Sequence, residues 1–434
     1  MRVQFVTLGC SKNIVDTEHI LAQLSKADID VVPETEDLVK GNIDVVVLNT
    51  CGFIDIAKEE SIESIMTALR AKEEGYIKKV FVFGCLSERY MKDLKTSIPE
   101  VDQYFGAYDI KNVLKAFGVT YDSSLETHRF ITTPRHLAYL KISEGCDRRC
   151  SYCAIPGIRG PHISVPIETL VKEATELASK GVKELILIAQ DSTYYGLDLY
   201  KKRMLGPLIT ELEKIQGIEW IRIHYSYPDS FPEDVLDIMA SSPKVCKYMD
   251  IPLQHSEDKV LSAMHRSTSA EQTRAIIKKM REKVPGIVIR TTMMVGHPGE
   301  GEREFQGLLD FVKEYKIERL GAFQYSEEEG TWGANNLEDN VPSEVKQSRY
   351  DALMELQSSI SLAYNNSRIG TEEKVIIDSY SDGIYIARSS KESYEVDGDI
   401  LIKSNGVYNP LLIGTFADVK IISAGEYDLA AEFK

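Results

Sequence analysis

Three cysteines fall within eight residues, Cys146, Cys150 and Cys153, in the stretch Gly145-Cys146-Asp147-Arg148-Arg149-Cys150-Ser151-Tyr152-Cys153. A C-x3-C-x2-C spacing lets one loop fold its thiolates around a single inorganic centre, so these residues read as metal ligands. Two centres suit them. Zinc takes four ligands, and His162 is the one further donor nearby. A four-iron, four-sulfur cluster held by three cysteines leaves one iron without a protein ligand, open to a substrate.

A second set is spread over the first hundred residues. Cys10, Cys51 and Cys85 each follow a continuous apolar run, at 2–9, 44–49 and 79–84. Helical spacing at 14–25, 61–72, 88–97 and 110–117 alternates with those runs, which predicts a parallel sheet covered on both faces. In such a sheet the carboxyl ends of the strands line one crevice, where ligands bind. A single free cysteine there is most often a small buried apolar residue. Three at equivalent positions read instead as a second metal site, again with one open iron. The seventh cysteine, Cys246, is expected in a helix-end segment and reads as structural.

A polar stretch at 119–135 forms a linker. Beyond it six strand-like runs recur, at 138–143, 184–190, 220–225, 248–253, 287–295 and 319–325, with helical stretches after each. Six β/α units predict a barrel short of the usual eight, with a lateral opening that suits a macromolecular substrate. The three-cysteine loop follows the first of these strands, at the carboxyl-terminal face where barrel enzymes keep their chemistry. Other strand ends carry Gln190-Asp191, His224-Tyr225, Gln254-His255, Arg290 and Gln324, among which Gln190 and Arg290 are the first candidates to bind a cofactor or substrate. Each is weighed against an ordinary structural polar group. Met294-Val295-Gly296-His297-Pro298-Gly299-Glu300 forms a glycine-permitted turn on the same side. After a helix at 343–366 the pattern changes to short alternating strands at 375–377, 384–387, 400–402 and 418–422. Gly383, Gly398, Gly406, Gly414 and Gly425 fall between or beside them, which predicts a small closed β-barrel of about five strands.

At 434 residues, with 43% hydrophobic and 27% charged residues, the chain has the composition of a globular protein of several domains. The expected division is 1–118, a linker at 119–135, 136–368 and 369–434. No apolar run reaches bilayer-spanning length and no signal-peptide pattern opens the chain, so the expected compartment is the cytosol, with reduced thiols and no membrane partner. The net charge of −16 and a pI near 5.1 favour a basic partner over a polyanion. Residues 371–434 alone hold twelve acidic and six basic residues, the wrong sign for a phosphate backbone.

With Tyr152 as the aromatic before its last cysteine, the loop resembles the signature of the radical S-adenosylmethionine enzymes. Taken with the second cysteine set, the α/β lead domain, the partial barrel and the terminal barrel, the whole chain resembles the radical methylthiotransferases. That resemblance implies an N-terminal parallel-sheet α/β domain, a central partial (β/α)6 barrel and a C-terminal TRAM-like β-barrel. It implies two four-iron, four-sulfur clusters: a radical cluster on Cys146, Cys150 and Cys153, and an auxiliary one on Cys10, Cys51 and Cys85. S-adenosylmethionine would serve twice per turnover, as methyl donor and as radical source, with Tyr152, Gln190 and Arg290 facing it. A reductant such as flavodoxin or ferredoxin would supply electrons.

Leu8-Gly9-Cys10-Ser11-Lys12-Asn13, His224-Tyr225-Ser226-Tyr227-Pro228 and Asp250-Ile251-Pro252-Leu253-Gln254-His255 look like the branch that modifies an aspartate of small-subunit ribosomal protein S-twelve. The tRNA-modifying branch typically has Gln-Met, Ser-His-Pro and Gln-Ser-Gly at the corresponding places. The implied reaction explains the cofactors. An unactivated aspartate β-carbon holds its hydrogen far outside the pKa range of any side-chain base. A carbon radical can remove it, and the sulfur must already wait nearby. Two other readings stay open here: a tRNA methylthiotransferase, and an iron–sulfur electron carrier or zinc protein, which would not cleave S-adenosylmethionine.

Overall fold

Strands built from unbroken apolar residues need both faces covered, and the N-terminal region meets that demand with five parallel strands. In the computed structural model, which describes residues 1–32, 34, 38, 41–404 and 408–434, these are β1 (Arg2–Thr7), β2 (Asp30–Val32), β3 (Val45–Thr50), β4 (Lys79–Gly84) and β5 (Gln103–Tyr104), in the order β2-β1-β3-β4-β5. The two-residue period of a strand sends Val46, Leu48, Val80 and Val82 to one face, against Ile65 and Leu69 of helix α2 (Asp55–Glu73) and Leu86 and Leu94 of α3 (Cys85–Ser97). Val3, Phe5, Val47, Phe81 and Phe83 face the other way, against Ile20 and Leu24 of α1 (Ser11–Lys26) and Val113 and Leu114 of α4 (Ile110–Ala116). The edge strands β2 and β5 were not foreseen, because three and two residues with Asp30 or Gln103 among them leave no apolar run.

The chain forms two compact units, one of residues 1–133, 139–148 and 153–177, the other of 134–138, 149–152 and 178–434. The polar stretch after α4 is tied into the first unit. Arg129, buried at 3% exposure, pairs with Glu18 and with Glu173 (2.7 Å) and donates to the Tyr139 carbonyl (3.1 Å).

Six strands, β6 (Leu137–Lys141), β9 (Glu184–Ile188), β10 (Trp220–Ile223), β11 (Val245–Asp250), β12 (Val288–Val295) and β13 (Arg319–Gln324), form a sheet in the order β13-β12-β11-β10-β9-β6. The pairs from β9 to β13 are parallel. Helices such as Ala270–Lys283 and Glu302–Tyr315 run between successive strands, so this is the partial barrel expected. Between β6 and β9 lie a short pair, β7 (Ser143–Glu144) with β8 (Ile163–Ser164), and helix α5 (Ile155–Arg159). Cys246 belongs to β11 rather than to a helix end: its segment pairs with β10 and β12, and the β-formers Val245 and Tyr248 flank it.

The helix Ser343–Asn366 leads to a closed barrel of five strands, β14 (Glu372–Ser381), β15 (Ile384–Ser389), β16 (Ile400–Lys403), β17 (Phe416–Ala424) and β18 (Leu429–Phe433). Alternate residues fill it, including Val375, Ile377, Tyr385, Ile400, Val419 and Leu429. Asp382 (φ +51°) and Gly383 (φ +84°) make the tight β14–β15 turn, where both positions need the left-handed region. Gly406 lies outside the described residues.

Within the second unit buried charges join this barrel to the sheet. Glu184 accepts from Arg222 and from Arg388, each at 2.8 Å, and Arg388 donates on to Asp378 (2.6 Å). Arg319 and Arg368 both meet Glu392. Among the described residues no helix is long and apolar enough to cross a membrane.

Candidate functional site

Sheet order puts β1, β3 and β4 side by side, and their carboxyl ends lead directly into Cys10, Cys51 and Cys85. Cys10 stands at the N-terminal cap of α1, Cys51 follows the last residue of β3, and Cys85 opens α3. Gly9 (φ +86°) brings the β1 turn against Cys51: a Cβ there would lie 2.6 Å from the Cys51 Cβ and 2.9 Å from its sulfur. The Cys51 N–H donates to the buried Ser61 hydroxyl at 3.0 Å. Asn13 ties the ends together, donating from Nδ2 to the Leu8 carbonyl (2.8 Å) and the Thr50 carbonyl (3.4 Å). Burial pushes the Cys51 thiol up, and burial pushes that of Cys85 up to about 11. The Arg159 guanidinium pulls both the other way, while Cys10 opposes ionisation of both.

In the three-cysteine loop, Gly145 (φ +73°) allows a turn so close that a Cβ would sit 2.0 Å from the Pro161 carbonyl oxygen. The Cys146 N–H donates to the Gly160 carbonyl (3.0 Å), and the Arg148 N–H donates to the Cys146 sulfur (3.4 Å). His162, the zinc-ligand candidate, is buried with Nε2 3.1 Å from the Ser164 hydroxyl.

In the second unit, Ser151 is held by hydrogen bonds with the Met264 carbonyl (2.9 Å) and the Gly333 N–H (2.6 Å). The Cys150 sulfur accepts from Arg266 Nη1 at 3.7 Å, and that guanidinium lies over the Tyr227 ring. Tyr152 stands edge-on to His297, with ring centres 6.3 Å apart. His297 Nδ1–H donates to the Pro298 carbonyl (2.8 Å) and Nε2 faces the Ser151 hydroxyl (3.3 Å). That is the pattern of a neutral imidazole, and burial lowers its pKa to about 4.

The remaining strand-end candidates separate. Gln190 sits two residues past β9, and Asp191 caps the following turn through the Thr193 N–H (3.0 Å). His224 is buried, its Nε2 2.8 Å from the Ser393 hydroxyl, and burial lowers its pKa to about 4. His255 faces Glu300 at 3.4 Å, and Gln324 donates to Gln347 at 2.7 Å. Arg290 is third of eight residues in β12 rather than at its carboxyl end. It pairs with Asp250 (2.8 Å) and lines a cavity of about 320 Å³ with Arg319, Asp397 and Tyr427. Burial pushes the Cys246 thiol up to about 12.

Among the described residues no group of three His, Cys, Asp or Glu side chains is preset around a metal ion. The donor chemistry nevertheless fits a thiolate-held cluster: N–H groups aim at the sulfurs of Cys85, Cys146 and Cys150, as hydrogen bonds that tune such centres do. Asn13, Arg159, Arg266 and His297 were not singled out as site residues from the sequence. Asn13 and His297 fall inside peptides whose pattern was marked, and the two arginines carry no local signal.

Family models described as Uncharacterized protein family UPF0004, Radical SAM superfamily and TRAM domain match residues 2–106, 140–312 and 369–433. A relative from Christiangramia forsetii, named ribosomal protein uS12 methylthiotransferase RimO, is 52% identical over 99% of this chain and 94% of its own. One of the same name from Flavobacterium psychrophilum is 52% identical over 99% and 98%. The solved structure of the radical S-adenosylmethionine methyltransferase TsrM from Kitasatospora setae matches with a TM-score of 0.55 and 14% identity over 74% of each chain, a likeness of fold. With half its residues shared along nearly its whole length, the chain belongs to the RimO family of radical SAM methylthiotransferases.

Proposed function

We propose that this chain replaces a hydrogen on the β-carbon of an aspartate in ribosomal protein uS12 with a methylthio group. The observation that carries the reading is about 50% identity over 99% of the chain to relatives named ribosomal protein uS12 methylthiotransferase. The same reading assigns Cys146, Cys150 and Cys153 to one four-iron, four-sulfur cluster and Cys10, Cys51 and Cys85 to a second. When bound, the first would supply a radical from S-adenosylmethionine and the second would present the sulfur to be transferred. The protein's own part is to hold those thiolates: Arg266 donates to the Cys150 sulfur, and the Arg148 N–H to that of Cys146. Tyr152, edge-on to a neutral His297, and Gln190 beyond β9 are proposed to face S-adenosylmethionine. Arg290, held by Asp250, is proposed as a structural anchor.

The proposed domains are 1–118, the segment 119–135, 136–368 and 369–434, which the three family matches support. Two molecules of S-adenosylmethionine per turnover and a low-potential one-electron donor of the flavodoxin or ferredoxin class complete the reading. The test incubates the reconstituted chain anaerobically with reductant, S-adenosylmethionine and purified uS12 beside tRNA, then weighs both. The expected result is one methylthio group on uS12 at aspartate. Methylthio groups on tRNA with none on uS12 overturn the assignment.

A further inference from the structure

Arg159 is the last residue of α5, six positions after the third cysteine of the loop, and only 3% of it is exposed. Its Nη1 meets Asp16 (2.8 Å) and Glu144 (3.2 Å), and its Nη2 donates to the Asn13 Oδ1 (2.7 Å). Lys141 bonds the same two carboxylates. Two cations therefore balance two anions, and the guanidinium's remaining edge, Nε–H, points at the Cys85 sulfur 3.2 Å away. Ala154 and Ile158 of the same segment pack against Cys85, and an apolar wall of this kind strengthens a hydrogen bond beside it. Asn13 supplies the geometry. It holds the ends of β1 and β3 through Nδ2 while its Oδ1 orients Arg159, so one arginine is registered against the strand ends that lead to Cys10, Cys51 and Cys85.

We propose that Arg159 is a positioning residue of the auxiliary site: its Nε–H fixes the Cys85 sulfur and, by donating to it, raises the reduction potential of the cluster held there. This rests on reading Cys10, Cys51 and Cys85 as cluster ligands. Hydrogen bonds to ligand sulfurs raise such potentials because they stabilise the added negative charge. The step is a one-electron reduction in which no bond forms or breaks, and dithionite supplies the electron in the test. A planar fork makes this contact together with those to Asp16 and Asn13, which a lysine cannot reproduce.

The experiment uses the full chain, reconstituted with iron and sulfide, carrying Cys150→Ala so that the auxiliary cluster dominates the paramagnetic signal. Its midpoint is measured by redox titration with and without Arg159→Gln or Arg159→Lys. Arg159→Gln is expected to disfavour reduction about tenfold, about 59 mV for one electron, with iron content kept. Arg159→Lys should shift the midpoint the same way by less. Unchanged midpoints in both variants overturn the inference. If Arg159→Gln fails to fold, Arg159→Lys decides alone, and a wild-type midpoint there overturns it. The combined variant Cys10→Ala, Cys51→Ala, Cys85→Ala separates the two failures. Full iron in that variant overturns the ligand reading and this inference with it, whereas lost iron beside unmoved Arg159 midpoints overturns this inference alone.

Discussion

Replacing Glu184 by glutamine tests how the terminal barrel is fastened to the sheet. Glu184 is fully buried between Arg222 and Arg388, with 2.8 Å to each. Burial alone raises its pKa, but the two guanidiniums outweigh that and lower it from 4.5 to about 2. At 1.36 kcal/mol per pH unit, such a carboxylate contributes about 3 kcal/mol at neutral pH. Removing one partner of a buried ion pair costs roughly 3–5 kcal/mol by independent reasoning, so the two routes agree. Glu184→Gln leaves two buried guanidiniums facing an amide that can accept from only one of them while donating toward the other.

Both tryptophans, Trp220 and Trp332, lie in the same unit as Glu184, and Trp220 is buried two residues from Arg222. Denaturant unfolding followed by tryptophan fluorescence therefore reads the relevant unit. The expected loss in Glu184→Gln is about 3 kcal/mol at pH 7. Because the folded pKa is depressed, the wild-type advantage is fully present above 4.5 and is lost as the pH falls toward about 2. Glu392, also lowered to about 2 despite its burial, titrates in both proteins and cancels. A gap below about 1 kcal/mol at pH 7, the scale of an exposed pair, or one that stays constant as pH falls, would refute the reasoning.

Two further outcomes follow from the cysteine sites. Gly9→Ala places a methyl group 2.6 Å from the Cys51 Cβ at a φ of +86°. It should cost roughly 1–2 kcal/mol in backbone strain and displace Cys51, leaving about half of an expected eight or so irons in anaerobic metal analysis; full iron counts against the site. Cys150→Ala should abolish reductive cleavage of S-adenosylmethionine, measured as 5′-deoxyadenosine, while Cys51→Ala keeps cleavage and stops methylthio transfer. Equal loss of cleavage in both means that the two sets do not divide the work.

The placement of Cys10, Cys51 and Cys85 at the carboxyl ends of neighbouring strands was legible because an apolar run stops just before each of them. The three long strands β1, β3 and β4 were legible from their apolar runs, and the closed barrel from alternation and glycine placement, whereas β2 and β5 were not. Arg159 was not: its partners Asn13 and Asp16 lie 146 and 143 residues away, and an arginine after a loop looks like any surface arginine. Arg290 shows a different limit. It pairs with Asp250, the last residue of β11, yet β12 runs five residues further. The stagger between neighbouring strands of a barrel-like sheet decides which residue reaches the carboxyl face, and hydrophobic pattern does not record stagger.

Charge was read with the right sign and partly for the wrong reason. The acidic excess of residues 371–434 was taken as a surface property, but Glu373, Asp378 and Glu392 are buried in ion pairs with Arg368 and Arg388, and the Asp397 carboxylate, almost entirely covered, bonds the Tyr248 hydroxyl at 2.7 Å. Such groups fix the barrel's attachment and steer nothing. Glu372, Asp382, Glu395, Asp418, Glu426, Asp428 and Glu432 remain exposed, against Lys374, Lys403, Lys420 and Lys434. Seven against four still repels a phosphate backbone and attracts a basic protein, over about 8 Å at physiological salt. Charge reversal aimed at the encounter with uS12 therefore belongs at Glu372, Asp382, Asp418 and Glu432, which stand in water. At Glu392 or Asp397 it would place an unpaired cation in the interior, and slower capture would then report a damaged fold rather than a weakened field.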